Sequence, residues 1–166
     1  LDGRFLNLHN AKLPDYRGHN SITHEILNFE QYHFSTLHLM TNDVDRGNLI
    51  MSRKIPIKKN DTAHSLWLRS VKSSILILQN WFQTCKKNNN FPKGKKILGE
   101  GNYYPKEFDQ LKRVPENSSA EVIERWARAF FFPPYEPAYI MYGKKKVYVL
   151  PEQYSYTQKD ILDQFK

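Results

Sequence analysis

Phe5-Leu6-Asn7-Leu8-His9-Asn10-Ala11-Lys12-Leu13-Pro14-Asp15-Tyr16-Arg17-Gly18 joins a short apolar run to a cluster of polar side chains. Phe5, Leu6 and Leu8 read as the end of a buried strand. Asn7, His9 and Asn10 bring two amides and an imidazole to that end, and Pro14, Asp15 and Gly18 then break regular structure. Asn7 and His9 are two positions apart, so extended backbone turns both to one side. In open α/β sheets the ends of strands are where ligands bind. The competing reading makes His9 and Asn10 solvated residues of a turn. Spacing alone weighs the two evenly.

Outward from this stretch, His19 to Phe29 reads as a short helix capped by Asn20 or Ser21, with Ile22 and Ile26 packed on the sheet. His19 and His24 read as surface residues of that helix, since no Cys or carboxylate stands at ligand spacing beside them. Ser35 to Thr41 alternates as a strand does, with Leu37 and Leu39 on one face and Thr36, His38 and Met40 on the other. The polar turn Asn42-Asp43-Val44-Asp45-Arg46-Gly47 leads into a second strand-like run from Asn48 to about Ile57, so the pair predicts an antiparallel hairpin. Pro56 pushes its end toward a sheet edge.

A long helix follows, with Asn60 or Asp61 as N-cap. Ala63, Leu66, Trp67, Val71, Ile75, Leu78, Trp81, Phe82 and Cys85 recur at helical spacing and predict its core face. Lys86 and Lys87 suit the negative end of the helix dipole, and Asn88-Asn89-Asn90 ends the helix. Beyond a basic connector, the loop Gly99 to Lys106 carries Tyr103 and Tyr104, which either stack a base or cover the core; the residues favour cover. Ser118 and Glu121 match a capping box for a helix reaching Phe130, stopped by Phe131-Phe132-Pro133-Pro134. Ala138 to Tyr142 and Lys146 to Leu150 predict a hairpin around Gly143-Lys144-Lys145. Asp160 to Phe165 predicts a last helical turn.

With 166 residues, 40% hydrophobic and 25% charged, the chain has the composition of a globular domain and not of a disordered one. A net charge of +8 favours anionic partners. The lone Cys85 rules out an internal disulfide and, with no signal-peptide pattern at Leu1 to Arg4, predicts a cytoplasmic setting. The longest aliphatic run, Ile75 to Leu78, is too short for a bilayer, so no membrane partner is expected. A basic nucleic-acid-binding module is the reading from another class. The positive residues are spread along the chain without a recognition motif, so no nucleic acid is expected.

Asn7-x-His9, Leu13-Pro14-x-x-Arg17-Gly18 and Val44-Asp45-Arg46-Gly47, in this order and spacing, resemble the folate-dependent formyltransferases. Thr36-Leu37-His38 and Asp61-Thr62 resemble the same family where it has a strand and then a helix start. Ala11 departs from the pattern, which generally has Ser or Pro nearby. The resemblance covers residues 1–85 well. It implies an α/β fold: residues 1–112 as the C-terminal half of a Rossmann-like catalytic domain, and 113–166 as a C-terminal helix and β-hairpin region. It further implies that the stretch is the C-terminal part of a longer chain, and that alone it binds folate poorly and does not turn over.

The resemblance also implies the reaction, transfer of a formyl group from 10-formyltetrahydrofolate to an amine, with no metal. Such a transfer needs a fixed donor for the developing oxyanion, here Asn7. It needs a group that exchanges protons near neutral pH, here His9, and a carboxylate to orient or relay, here Asp45. Asp43, Val44 and Asp45 are the candidates for holding the folate, and Asn10, Arg17, Tyr103 and Tyr104 for holding the acceptor. The tail Arg128-Ala129-Phe130-Phe131-Phe132-Pro133-Pro134-Tyr135-Glu136-Pro137-Ala138-Tyr139-Ile140 is similar to that of the nucleotide-sugar N-formyltransferases. That implies a nucleotide-linked amino-dideoxy sugar as acceptor, for surface polysaccharide. Glycinamide ribonucleotide and methionyl-tRNA formyltransferases are the alternatives. An exposed C-terminal hairpin makes a homodimer plausible.

Overall fold

The computed structural model describes residues 5–154. Strand β1 (Leu6–His9) leads through a short strand β2 (Arg17–Gly18) into helix α1 (Ser21–Leu27), then into strands β3 (Tyr32–Leu39) and β4 (Leu49–Pro56). Helix α2 (Ala63–Asn88) follows, then β5 (Tyr103–Tyr104), α3 (Ala120–Ala129) and the hairpin of β6 (Tyr139–Tyr142) and β7 (Lys145–Tyr148). The β1, β3 and β4 strands form one antiparallel sheet with β3 in the middle. The hairpins expected around residues 42–47 and 143–145 both form. The expected helical turn at 160–165 lies outside the described residues.

β1 departs from expectation. Its Leu6 and Leu8 are only half-buried, and among the described residues it is an edge of the sheet, not a strand enclosed on both sides.

Helix α2 forms at the expected place with Ala63 and Leu66 buried as expected, but beyond them it turns a different face inward. Its buried positions are Ala63, Leu66, Ser70, Ser73, Ser74 and Ile77, whereas Trp67, Ile75, Leu78 and Phe82 are exposed. Small polar side chains let the helix approach β3 closely, and Ser70 finds its partners there. Ser70 Oγ lies 2.8 Å from His33 Nε2, and Ser35 Oγ donates to the Ser70 carbonyl at 3.2 Å. Ser74 Oγ donates to Asn10 Oδ1 at 2.9 Å. Thr62, not Asn60 or Asp61, is the N-cap, paired with Ser65 in a reciprocal capping box that contributes about 1 kcal/mol. Asp61 instead takes Arg69 as an ion-pair partner.

α1 begins after Asn20, whose side chain makes no cap bond; the Ser21 hydroxyl donates to the Asn10 carbonyl. Its Ile22 and Ile26 are buried as expected, and the helix as a whole packs on α3 and α2. His24 is not a simple surface residue, because its ring packs on Tyr104 at 4.1 Å between centroids. α3 is capped by Ser119, one residue later than the expected box, while Ser118 donates to the Pro115 carbonyl. The core cluster of Ile22, Ile26, Ile55, Ala63, Leu66, Val114, Ala129, Phe130 and Ala138 draws on both sides of residue 112.

Candidate active site

Antiparallel register sets Asn7 of β1 opposite His38 of β3, and His9 opposite Thr36. Asp45 reaches the same place from the loop after β3, with a left-handed backbone (φ 53°) that Asp tolerates better than most residues. That loop lies directly on the end of β3. A Cβ at Gly47 would stand 1.6 Å from the Leu39 carbonyl oxygen, so only glycine fits.

Asp45 is the hub. Its Oδ1 accepts from Asn7 Nδ2 at 3.1 Å and lies 3.4 Å from His38 Nε2. Its Oδ2 accepts from the Gly18 backbone N–H at 2.9 Å and lies 3.5 Å from His9 Nδ1. Each imidazole is anchored on its far side by a backbone carbonyl. His9 Nε2 stands 2.6 Å from the Tyr16 oxygen and His38 Nδ1 2.8 Å from the Leu39 oxygen. A carbonyl only accepts, so these nitrogens carry the ring protons, and both rings turn their other nitrogen toward one carboxylate.

His9, His38 and Asp45 are all buried. Burial pulls the His9 pKa below its ordinary value, against the opposing pull of Asp45 and the Tyr16 carbonyl. Burial pushes Asp45 up, but the His38 hydrogen bond, the His9 charge and the Gly18 N–H outweigh it and hold the carboxyl below its usual range.

Beside this cluster lies a cleft of about 540 Å³ lined by Arg17, Asp43, Val44, Arg46, Glu100 and Tyr103. Val44 and Arg46 flank Asp45 in sequence, and Gly18 follows Arg17, so the cleft is lined by sequence neighbours of the cluster. Arg17 Nε is buried there without a hydrogen-bond partner, an arrangement that native structures seldom leave without a purpose. Its guanidinium lies 6.0 Å from the Tyr103 ring centre. Arg46 is held by Glu100 at 2.6 Å and by the Gly99 carbonyl at 3.1 Å.

The structure therefore brings Asn7, His9 and Asp45 together, and gathers Arg17, Asp43, Val44 and Tyr103 at one cleft. Asn10 and Tyr104 lie elsewhere. Asn10 ties β1 to α1 and α2 through Ser21 and Ser74. The Tyr104 ring packs on Tyr16 at 5.4 Å and on His24, so its faces are taken by protein. Sequence reasoning did not single out His38, Arg46 or Glu100 as site residues. For His38 a signal existed: it shares the strand face of Thr36, the face opposite the inward Leu37.

The α/β fold is similar to that of solved formyltransferases. Residues 1–78 match the family model described as formyl transferase. GDP-perosamine N-formyltransferase from Brucella melitensis is 33% identical over 157 residues, covering 90% of this chain and 60% of that protein. The chain thus spans about 60% of the length of the first curated relatives it matches. A 4-N formyltransferase from Francisella tularensis superposes with a TM-score of 0.78 at 21% identity, over 89% of this chain and 61% of that one. WlaRD, a sugar 3N-formyl transferase solved in the presence of dTDP and 5-N-formyl-THF, gives 0.73 at 29% identity, over 83% and 50%.

Proposed function

We propose that the whole protein carrying this chain moves a formyl group from 10-formyltetrahydrofolate to the amine of a nucleotide-linked amino-dideoxy sugar. The observation that carries the reading is the convergence of Asn7, His9 and Asp45, with the sequence neighbours of Asp45 lining an arginine-containing cleft. Relatives named for sugar N-formylation, one of them solved with a nucleotide and a formyl-folate, support the acceptor and donor classes. The unpaired buried Arg17 Nε fits an anionic ligand group such as a diphosphate or a folate carboxylate. In this reading Asp43 and Val44 hold the folate side, and Arg17 and Tyr103 the nucleotide side. Residues 1–112 supply the chemistry, 113–166 supply the helix and hairpin, and the work is done in the cytoplasm for polysaccharide synthesis.

The bound folate supplies the formyl carbon and a nitrogen leaving group. The chain's residues do the rest. Both Asn7 amide hydrogens are engaged, with Asp45 Oδ1 at 3.1 Å and His38 Nε2 at 3.2 Å. Asn7 stabilises the developing oxyanion by exchanging one of these bonds for the formyl oxygen. The acceptor amine must lose a proton as its nitrogen bonds to the formyl carbon, and the leaving nitrogen must gain one. His9 and Asp45 are the pair through which that proton passes, and burial keeps water from competing for it.

Asn7→Ala tests the reading. Loss of one oxyanion donor lowers kcat by roughly 10²–10³, and the circular dichroism spectrum should be unchanged. A variant retaining more than about a tenth of the wild-type kcat, a loss of ~1.4 kcal/mol or less, contradicts the role.

A further inference from the structure

His38 moves no proton in the reading above, yet it holds the reactive amide. The residue is 1% exposed, and its Nδ1–H is committed to the Leu39 carbonyl at 2.8 Å. Only Nε2 can then gain or lose a proton. That nitrogen faces Asn7 Nδ2 at 3.2 Å and Asp45 Oδ1 at 3.4 Å, one a donor and the other an acceptor. Nε2 can satisfy only one of them at a time. Bare, it accepts from Asn7; protonated, it donates to Asp45 and repels the Asn7 N–H.

We propose that His38 is the positioning residue for Asn7: uncharged it ties the Asn7 amide back, and protonated at Nε2 it releases that amide to the formyl oxygen. The proposal rests on Asn7 being the oxyanion donor for its catalytic meaning, but the hydrogen-bond exchange itself does not. The titratable groups facing His38 are Asp45 from the loop and His9 from β1, whose ring meets it edge-on at 6.4 Å. The neighbouring β4 residue in register is Leu49. Because His9 and His38 contact different oxygens of one carboxylate, a proton taken up by either ring is stabilised by the same Asp45 charge.

The test is nuclear magnetic resonance of the whole protein labelled with ¹⁵N at histidine and at asparagine side chains. Long-range ¹H–¹⁵N spectra from pH 5 to 8.5 report which His38 nitrogen carries the proton. The expected result is the Nδ1–H form at high pH, proton uptake at Nε2 on acidification, and Asn7 amide signals that move with the His38 midpoint. In His38→Gln the Asn7 signals should lose that titration. An Nε2–H form at high pH, Asn7 signals that stay still as pH falls, or an Asn7 titration as large in His38→Gln overturns the proposal. These readouts need no turnover, so an inactive protein with the expected spectra overturns formyl transfer and leaves the His38 exchange standing.

Discussion

At the scale of residues, one carboxylate organises the site, and its titration should be visible in stability. The Asp45 pKa is held below its ordinary value in the folded protein. A carboxyl depressed by folding contributes stability above its unfolded pKa of about 3.9 and loses it as pH falls through the folded value. Asp45→Asn keeps a side chain that tolerates the left-handed backbone, so it removes the charge with little strain. The variant should be less stable than wild type at pH 6 in urea, and the gap should narrow as pH drops below about 4. A gap of constant size from pH 6 to 3 contradicts this electrostatic account. Asn7 and His9 were legible in the sequence because strand spacing puts them on one side. Their link to His38 depends on β1–β3 register, which no local pattern carries.

At the scale of elements, α1, β3 and α2 are tied by a buried chain of polar groups. Glu25 Oε2 lies 2.5 Å from His33 Nδ1, His33 Nε2 lies 2.8 Å from Ser70 Oγ, and Glu25 and His33 are fully buried. Burial raises the Glu25 pKa against the opposing hydrogen bond from His33. Removing one member of such a pair leaves the other without compensation and costs about 3–5 kcal/mol. Glu25→Ala should therefore lower the urea midpoint sharply, and Glu25→Leu/His33→Leu should cost less than the sum of its single changes. Additive losses would show that the two groups are not coupled. This network explains why the α2 face was misread. Helical periodicity finds the helix, but the apolar stripe of Trp67, Ile75, Leu78 and Phe82 points outward, while serines face a polar stretch of β3. Apolar patterning has no means of marking a polar helix–sheet contact. The two hairpins were readable because turn chemistry and strand alternation agree over a few residues.

At the scale of the whole molecule, the β6–β7 hairpin leaves apolar side chains to solvent, with Tyr142 81% and Val147 50% exposed. If it joins two copies, Tyr142→Ser/Val147→Asp should convert a dimer to a monomer in sedimentation equilibrium, with transfer activity assayed alongside; an unchanged mass contradicts that interface. Three short motifs at fixed spacing carry the resemblance to formyltransferases, and the proposed acceptor class rests on the aromatic tail that follows α3. The cleft was not, since Arg17, Arg46, Glu100 and Tyr103 come from segments up to 86 residues apart in the numbering. The proposed function is formyl transfer to a nucleotide-linked amino sugar with Asn7 as oxyanion donor. Its most direct measurement gives the whole protein 10-formyltetrahydrofolate labelled in the formyl carbon, with a panel of nucleotide-linked amino sugars, and follows the label. Label should appear on the sugar amine with wild type, at a rate that falls at least about a hundredfold with Asn7→Ala. Label that stays on folate with every sugar, or that transfers equally well in Asn7→Ala, would contradict it.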